Sequence, residues 1–169
     1  MLIPLNDHIH PQNPNVRNLF SRIVSELDQR LPGEFEFKFI CQVQRDSQFL
    51  EELTNGITGR KASFINASED IDQCMEAYDD CTHVVSNRLH ALLFGTLRGC
   101  VPIALVDIDH NQKIIGIFNE LNAESNLVMQ DTNDPIEKVQ SKLTEFKTIL
   151  PDSAREKRRL DAIFVKIFA

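Results

Sequence analysis

The sequence predicts a doubly wound α/β fold, a parallel sheet with helices on both faces, and three observations predict it. Short apolar runs rich in Val, Ile and Phe recur along the 169 residues, separated by helical stretches of about ten to fifteen residues, the length of crossover connections. Cap residues stand where those stretches begin, and Gly or Pro stands where several end. Apolar residues make up 42% of the chain and charged residues 25%, enough for one real core, with no run near the roughly 18 apolar residues of a membrane span.

Met1 to Leu5 reads as a short first strand, with Pro4 tolerable only near a strand start or on an edge. Asn13 and Pro14 open a helix whose Val16, Leu19, Phe20, Ile23, Val24, Leu27 and Leu31 repeat at helical spacing, and Pro32-Gly33 ends it. Phe35 to Ile40 alternates as a strand. A short helix runs from Asp46 to about Thr54, stopped by Asn55-Gly56. Lys61 to Ile65 is a strand, Ser68 caps a helix to about Tyr78, and Thr82 to Ser86 is a buried strand by composition. A helix over Asn87–Arg98, a strand over Val101–Val106, a helix over Gln112–Leu121 and a strand over Asn126–Met129 continue the alternation. Asp134-Pro135 then opens a helix ending near Leu150, with Glu137 strengthening its cap.

The balance of 18 basic against 25 acidic residues gives a net charge of −7, which argues against a nucleic-acid surface; an anionic ligand needs a local basic pocket. The N-terminus lacks the pattern of a secretory signal, so a cytoplasmic location is expected. Cys41, Cys74, Cys81 and Cys100 form no C-x-x-C pair and read as reduced thiols beside apolar residues.

In a doubly wound sheet ligands sit beyond the carboxyl ends of the strands, which directs attention to the loops after Ser86 and Val106. Ser86 or Asn87 caps the next helix, so Arg88 falls in its first turn, where free amides attract anions and a guanidinium adds a bidentate clamp. His90 lies roughly 200° around the helix from Arg88, so the two converge only if Arg88 belongs to the cap or bends back. Other roles compete: Arg88 pairing with Asp79 or Asp80, and His90 as a satisfied histidine between helix and sheet.

The run Ser86-Asn87-Arg88-Leu89-His90-Ala91-Leu92-Leu93-Phe94-Gly95, then Gly99-Cys100-Val101-Pro102-Ile103-Ala104, then Lys113-Ile114-Ile115-Gly116 and Glu120-Leu121-Asn122, resembles the C-terminal half of the polysaccharide pyruvyltransferase family, closely over residues 78–122. The resemblance implies a Rossmann-like domain, one half of a GT-B-like architecture, spanning residues 1–151 here. It implies transfer of pyruvate from phosphoenolpyruvate to a saccharide acceptor as a ketal, in exopolysaccharide biosynthesis, with no metal and no cofactor besides the donor. Arg88 would hold the donor's carboxylate or phosphate and His90 would contact phosphate or act as general acid. Ser86, Asn87, Leu89 and Lys113 would complete the substrate contacts, Lys113 reading equally well as a solvated lysine. Family members carry a further N-terminal domain, so this chain reads as part of a two-domain enzyme or as a domain without its partner.

Rival readings are a nucleotide-sugar glycosyltransferase half and a non-catalytic anion- or sugar-binding domain. His8-Ile9-His10 at a strand end is a pattern that supplies metal ligands in barrel hydrolases, but reads more simply as a polar loop. Asp107-Ile108-Asp109-His110 makes a strand-to-helix turn with Asp109 or His110 as cap. Arg155 to Arg159 is a solvated helix face.

Residues 152–169 carry Leu160, Ile163, Phe164, Ile167 and Phe168 at helical spacing, a stripe that needs a covering surface on the domain flank or on a second copy of the chain. Ending the chain at Pro151 should therefore either lower thermal stability or convert a homodimer to a monomer, read by thermal unfolding and sedimentation of both forms; a monomer of unchanged stability would show that the stripe buries nothing.

Overall fold

The computed structural model describes residues 14–132 and 134–145. The strand expected over Met1–Leu5, the His8 and His10 loop, the Asn13 cap, the end of the last helix near Leu150 and the tail stripe lie outside the described residues. Within them the chain runs α1 (Pro14–Arg30), β1 (Phe37–Cys41), a 3-10 turn over Gln44–Asp46, α2 (Ser47–Asn55), β2 (Ala62–Asn66), α3 (Ile71–Glu76), β3 (His83–Ser86), α4 (Leu89–Leu97), β4 (Val101–Val106), α5 (Gln112–Glu120), a second 3-10 turn over Glu124–Asn126, β5 (Leu127–Met129) and α6 (Pro135–Glu145). All strand pairings are parallel, as strands joined through helices must be if they run the same way.

One parallel sheet was the expectation, and the structure has two: β1 pairs with β2, and β3-β4-β5 form a three-stranded sheet. Among the described residues β3 thus has one hydrogen-bonded neighbour, yet Val84 and Val85 are fully buried. The sheets share their cores. Phe37, Phe39, Cys41, Val85, Ile103, Leu105 and Val128 pack in one cluster with side chains of α1, α2 and α6. The alternate residues Ile40, Val84, Ala104 and Val106 pack in the other with α3, α4 and α5. Period-2 alternation therefore sends each strand's side chains into two cores, one against each set of helices.

Cap chemistry sets the boundaries. α3 begins at Ile71, not after Ser68, because the Asp70 carboxylate accepts from the backbone N–H groups of Asp72 (2.9 Å) and Gln73 (3.0 Å). Ser68 is occupied elsewhere, its hydroxyl bonding Gln44 Oε1 and Asn66 Oδ1. The expected cap of α6 forms, with Asp134 Oδ1 accepting from Glu137 N at 2.9 Å. A second device closes the end of the first layer: Arg60 Nε donates to Asp28 (2.9 Å), and the rest of its guanidinium bonds carbonyls at the C-terminus of α1 while lying over the Phe37 ring.

Gly95 sits on α4 where a Cβ would fall 2.6 Å from Val84 Cγ1, so the helix approaches β3 more closely than any side chain allows. Gly99, at φ 88°, then turns the chain from α4 into β4. Gly95→Ala should destabilise the protein by about 1–3 kcal/mol, as overpacking does, read as a lowered midpoint in urea unfolding.

Candidate functional site

At the carboxyl end of β3 the backbone turns on Ser86, whose Oγ accepts from Arg88 N at 2.9 Å. That bond holds Arg88 extended (φ −102°, ψ 126°), which makes it the N-cap of α4. Neither Ser86 nor Asn87 caps the helix, and Arg88 is not in its first turn. The correction matters, because a cap position is the condition under which Arg88 and His90 can face one ligand.

Arg88 is 8% exposed and pairs with Asp46, a fully buried carboxylate in the turn between β1 and α2. The acids expected as its alternatives do not take it; Asp79 instead pairs at the surface with Arg98, at 2.8 Å. Burial pulls the Arg88 pKa down and Asp46 opposes it, while Arg45, exposed on the same turn, adds a second repulsive cation. Because an arginine starts so far above neutrality, the guanidinium stays charged. Arg88 therefore anchors two loops as well as bordering the site.

Asn87, between Ser86 and Arg88, is fully buried, and neither its Oδ1 nor its Nδ2 has a hydrogen-bond partner among the described residues. An unmet buried amide costs on the order of 1–3 kcal/mol. His90, in the first turn of α4, is exposed, its ring 6.2 Å from that of Phe94. Partial desolvation, then Lys113 and Arg88, hold its pKa below the ordinary histidine value. That coupling brings Lys113, exposed in the first turn of α5, into the same field. Leu89 packs inward against the second core.

The turn after β4 is capped by Asn111 rather than Asp109 or His110. Asn111 Oδ1 accepts from Asp107 N (2.8 Å), and its buried Nδ2 has no partner. Asp107 is engaged within its own turn, accepting from Asp109 N and pairing with His110 at 3.2 Å. No cluster of three or more metal-ligating side chains occurs among the described residues, and no helix there is long and apolar enough to cross a membrane.

Three expected residues (Arg88, His90 and Lys113) thus share one electrostatic neighbourhood at the carboxyl ends of β3 and β4. Asp46 and Asn111 were not foreseen in it: the first is 42 positions from its partner, and the second carries only a local cap signal. The site is an open crest. Two cavities lie elsewhere, one of about 480 Å³ at the opposite end of the strands beside Lys38 and His83, and one of about 410 Å³ between α1 and α2. No protein-family model, curated protein or solved structure matches the chain.

Removing either partner of the Arg88–Asp46 pair leaves a buried charge alone. Arg88→Ala or Asp46→Ala should each cost about 3–5 kcal/mol in chemical unfolding, and the double variant Arg88→Met, Asp46→Leu clearly less than the two singles combined. Additive losses would show that the charges do not depend on each other.

Proposed function

We propose that the chain is a Rossmann-like anion-binding domain of polysaccharide pyruvyltransferase type, whose crest holds phosphoenolpyruvate for transfer of pyruvate to a saccharide in cytoplasmic polysaccharide assembly. The observation that carries this reading is the buried, unpartnered amide of Asn87, set among Arg88, His90 and Lys113 where the first turns of α4 and α5 begin. An amide offers both donor and acceptor, cations and helix N-termini favour phosphate or carboxylate, and an anion is what a chain of net charge −7 must otherwise repel. The helices on both faces of the strands support the Rossmann-like description, and the run from Ser86 to Asn122 supports the family.

The chemistry suits these side chains. Protonating the enol carbon of phosphoenolpyruvate creates an oxocarbenium-like centre, a sugar hydroxyl adds to it, and phosphate leaves with its charge stabilised. His90 supplies the proton. Lys113 and the helix amides hold the departing anion, and Arg88, fixed by Asp46, contributes its field from the wall of the site. Catalysis calls for a facing domain that orients the acceptor and excludes water.

Calorimetry of the full chain with phosphoenolpyruvate and with a nucleotide sugar tests this. Phosphoenolpyruvate should bind, and Lys113→Ala should weaken it by about 1.5–3 kcal/mol while leaving the fold intact, the range for hydrogen bonds to charged groups. Binding of the nucleotide sugar alone would assign the domain to a glycosyltransferase instead, and binding of neither would remove the crest as a substrate site.

A further inference from the structure

At the opposite end of the strands the turn after α3 gathers two thiols and an ammonium around the carbonyls of Ala77, Tyr78 and Cys81. Cys81 Sγ lies 3.6 Å from Ala77 O, and Cys100 Sγ lies 3.6 Å from Tyr78 O and 3.2 Å from Cys81 O. Lys38 Nζ donates to Ala77 O at 3.2 Å, so the ammonium and the Cys81 sulfur share one acceptor. The backbone keeps them there: Val101 N bonds Thr82 O at 2.9 Å, which locks the residue after Cys100 against the residue after Cys81. Cys81 is partly exposed and lines the cavity of about 480 Å³ with Lys38, while Cys100 is only 3% exposed. One sulfur faces solvent and the other sits behind it.

We propose that Cys81 and Cys100 form a peroxide-responsive thiol pair, with Cys81 as the attacking sulfur and Cys100 as the resolving one. The hydrogen bond from Cys100 and the nearby Lys38 hold the Cys81 thiol below its ordinary range, against the pull of burial and of Asp80. Burial pushes Cys41 and Cys74 the other way and leaves them protonated. In the first step the Cys81 thiolate attacks one oxygen of hydrogen peroxide, the O–O bond breaks, and sulfenic acid and hydroxide form. In the second, Cys100 gives up its proton and its sulfur attacks the Cys81 sulfur, the S–O bond breaks and water leaves. Two thiols are oxidised to a disulfide and one peroxide is reduced to two waters.

The test treats the full reduced chain with hydrogen peroxide near one equivalent, alkylates the remaining thiols and maps the peptides by mass. A linked Cys81–Cys100 peptide is expected, with Cys41 and Cys74 alkylated, and Cys81 should react about tenfold faster than either of them. In Cys100→Ser the reaction should stop at a Cys81 sulfenic acid that dimedone captures. Lys38→Met should slow oxidation several-fold, with circular dichroism confirming that both variants fold. Faster oxidation of Cys41 or Cys74, or a Cys81 sulfenic acid in the unaltered chain that never yields the disulfide, would overturn the proposal.

Discussion

The buried pair between Arg88 and Asp46 is the interaction on which the crest depends. Asp46 follows β1 of one sheet, Arg88 follows β3 of the other, and no backbone ladder joins these strands among the described residues. Apolar packing holds the sheets in common cores, but packing is tolerant of small slides, whereas a guanidinium and a carboxylate out of water permit few relative positions. Gln42 Nε2 on the Tyr78 hydroxyl, at 2.8 Å, adds a neutral tie from the same loop of the first sheet to the turn before β3. The loops after β1 and β3 are thus fixed against each other at the crest.

The same device works at the far end with a different balance. Arg60 spends its donors on Asp28 and on the carbonyls closing α1, and Asp28 also accepts from the backbone of Thr58 and Gly59. Burial raises the Asp28 pKa, but these hydrogen bonds outweigh it and the net shift is downward. Stability from this group is therefore present above the unfolded carboxylate value and is lost as pH falls through the lower folded one. This pair is saturated with protein partners, a structural clamp, whereas beside Arg88 the buried Asn87 amide meets no partner among the described residues.

Most elements were legible because local rules set them. The period of apolar residues in α1, the Asp134 cap of α6 and the glycine turn after α4 are decided within a few neighbouring positions. Where two cap residues competed, the sequence alone could not rank them, since Ser68 was lost to Gln44 and Asn66 and Asp109 yielded to Asn111 through contacts made by folding. The division into two sheets was equally illegible, because strand composition reports burial and both faces of β3 are buried whether or not β1 pairs with it. Of the candidate site, Arg88 and His90 could be singled out at a helix start, though the helix begins later than expected, and Lys113 came from the family resemblance. Asp46 could not, because a partner 42 residues away leaves no local pattern.

The electrostatics of His90 couple its proton to the charge around it. With Lys113 and Arg88 acting on it, its proton is released below the ordinary histidine range, so near neutral pH the free site holds a neutral ring and an excess of fixed positive charge. An anion settling there would cancel the repulsion and raise the histidine's affinity for a proton. By linkage, proton and anion each favour the other's binding. Under the reading proposed above, His90 would gain its proton as the anion arrives, a coupling that follows from placing cations on two helix starts beside one histidine.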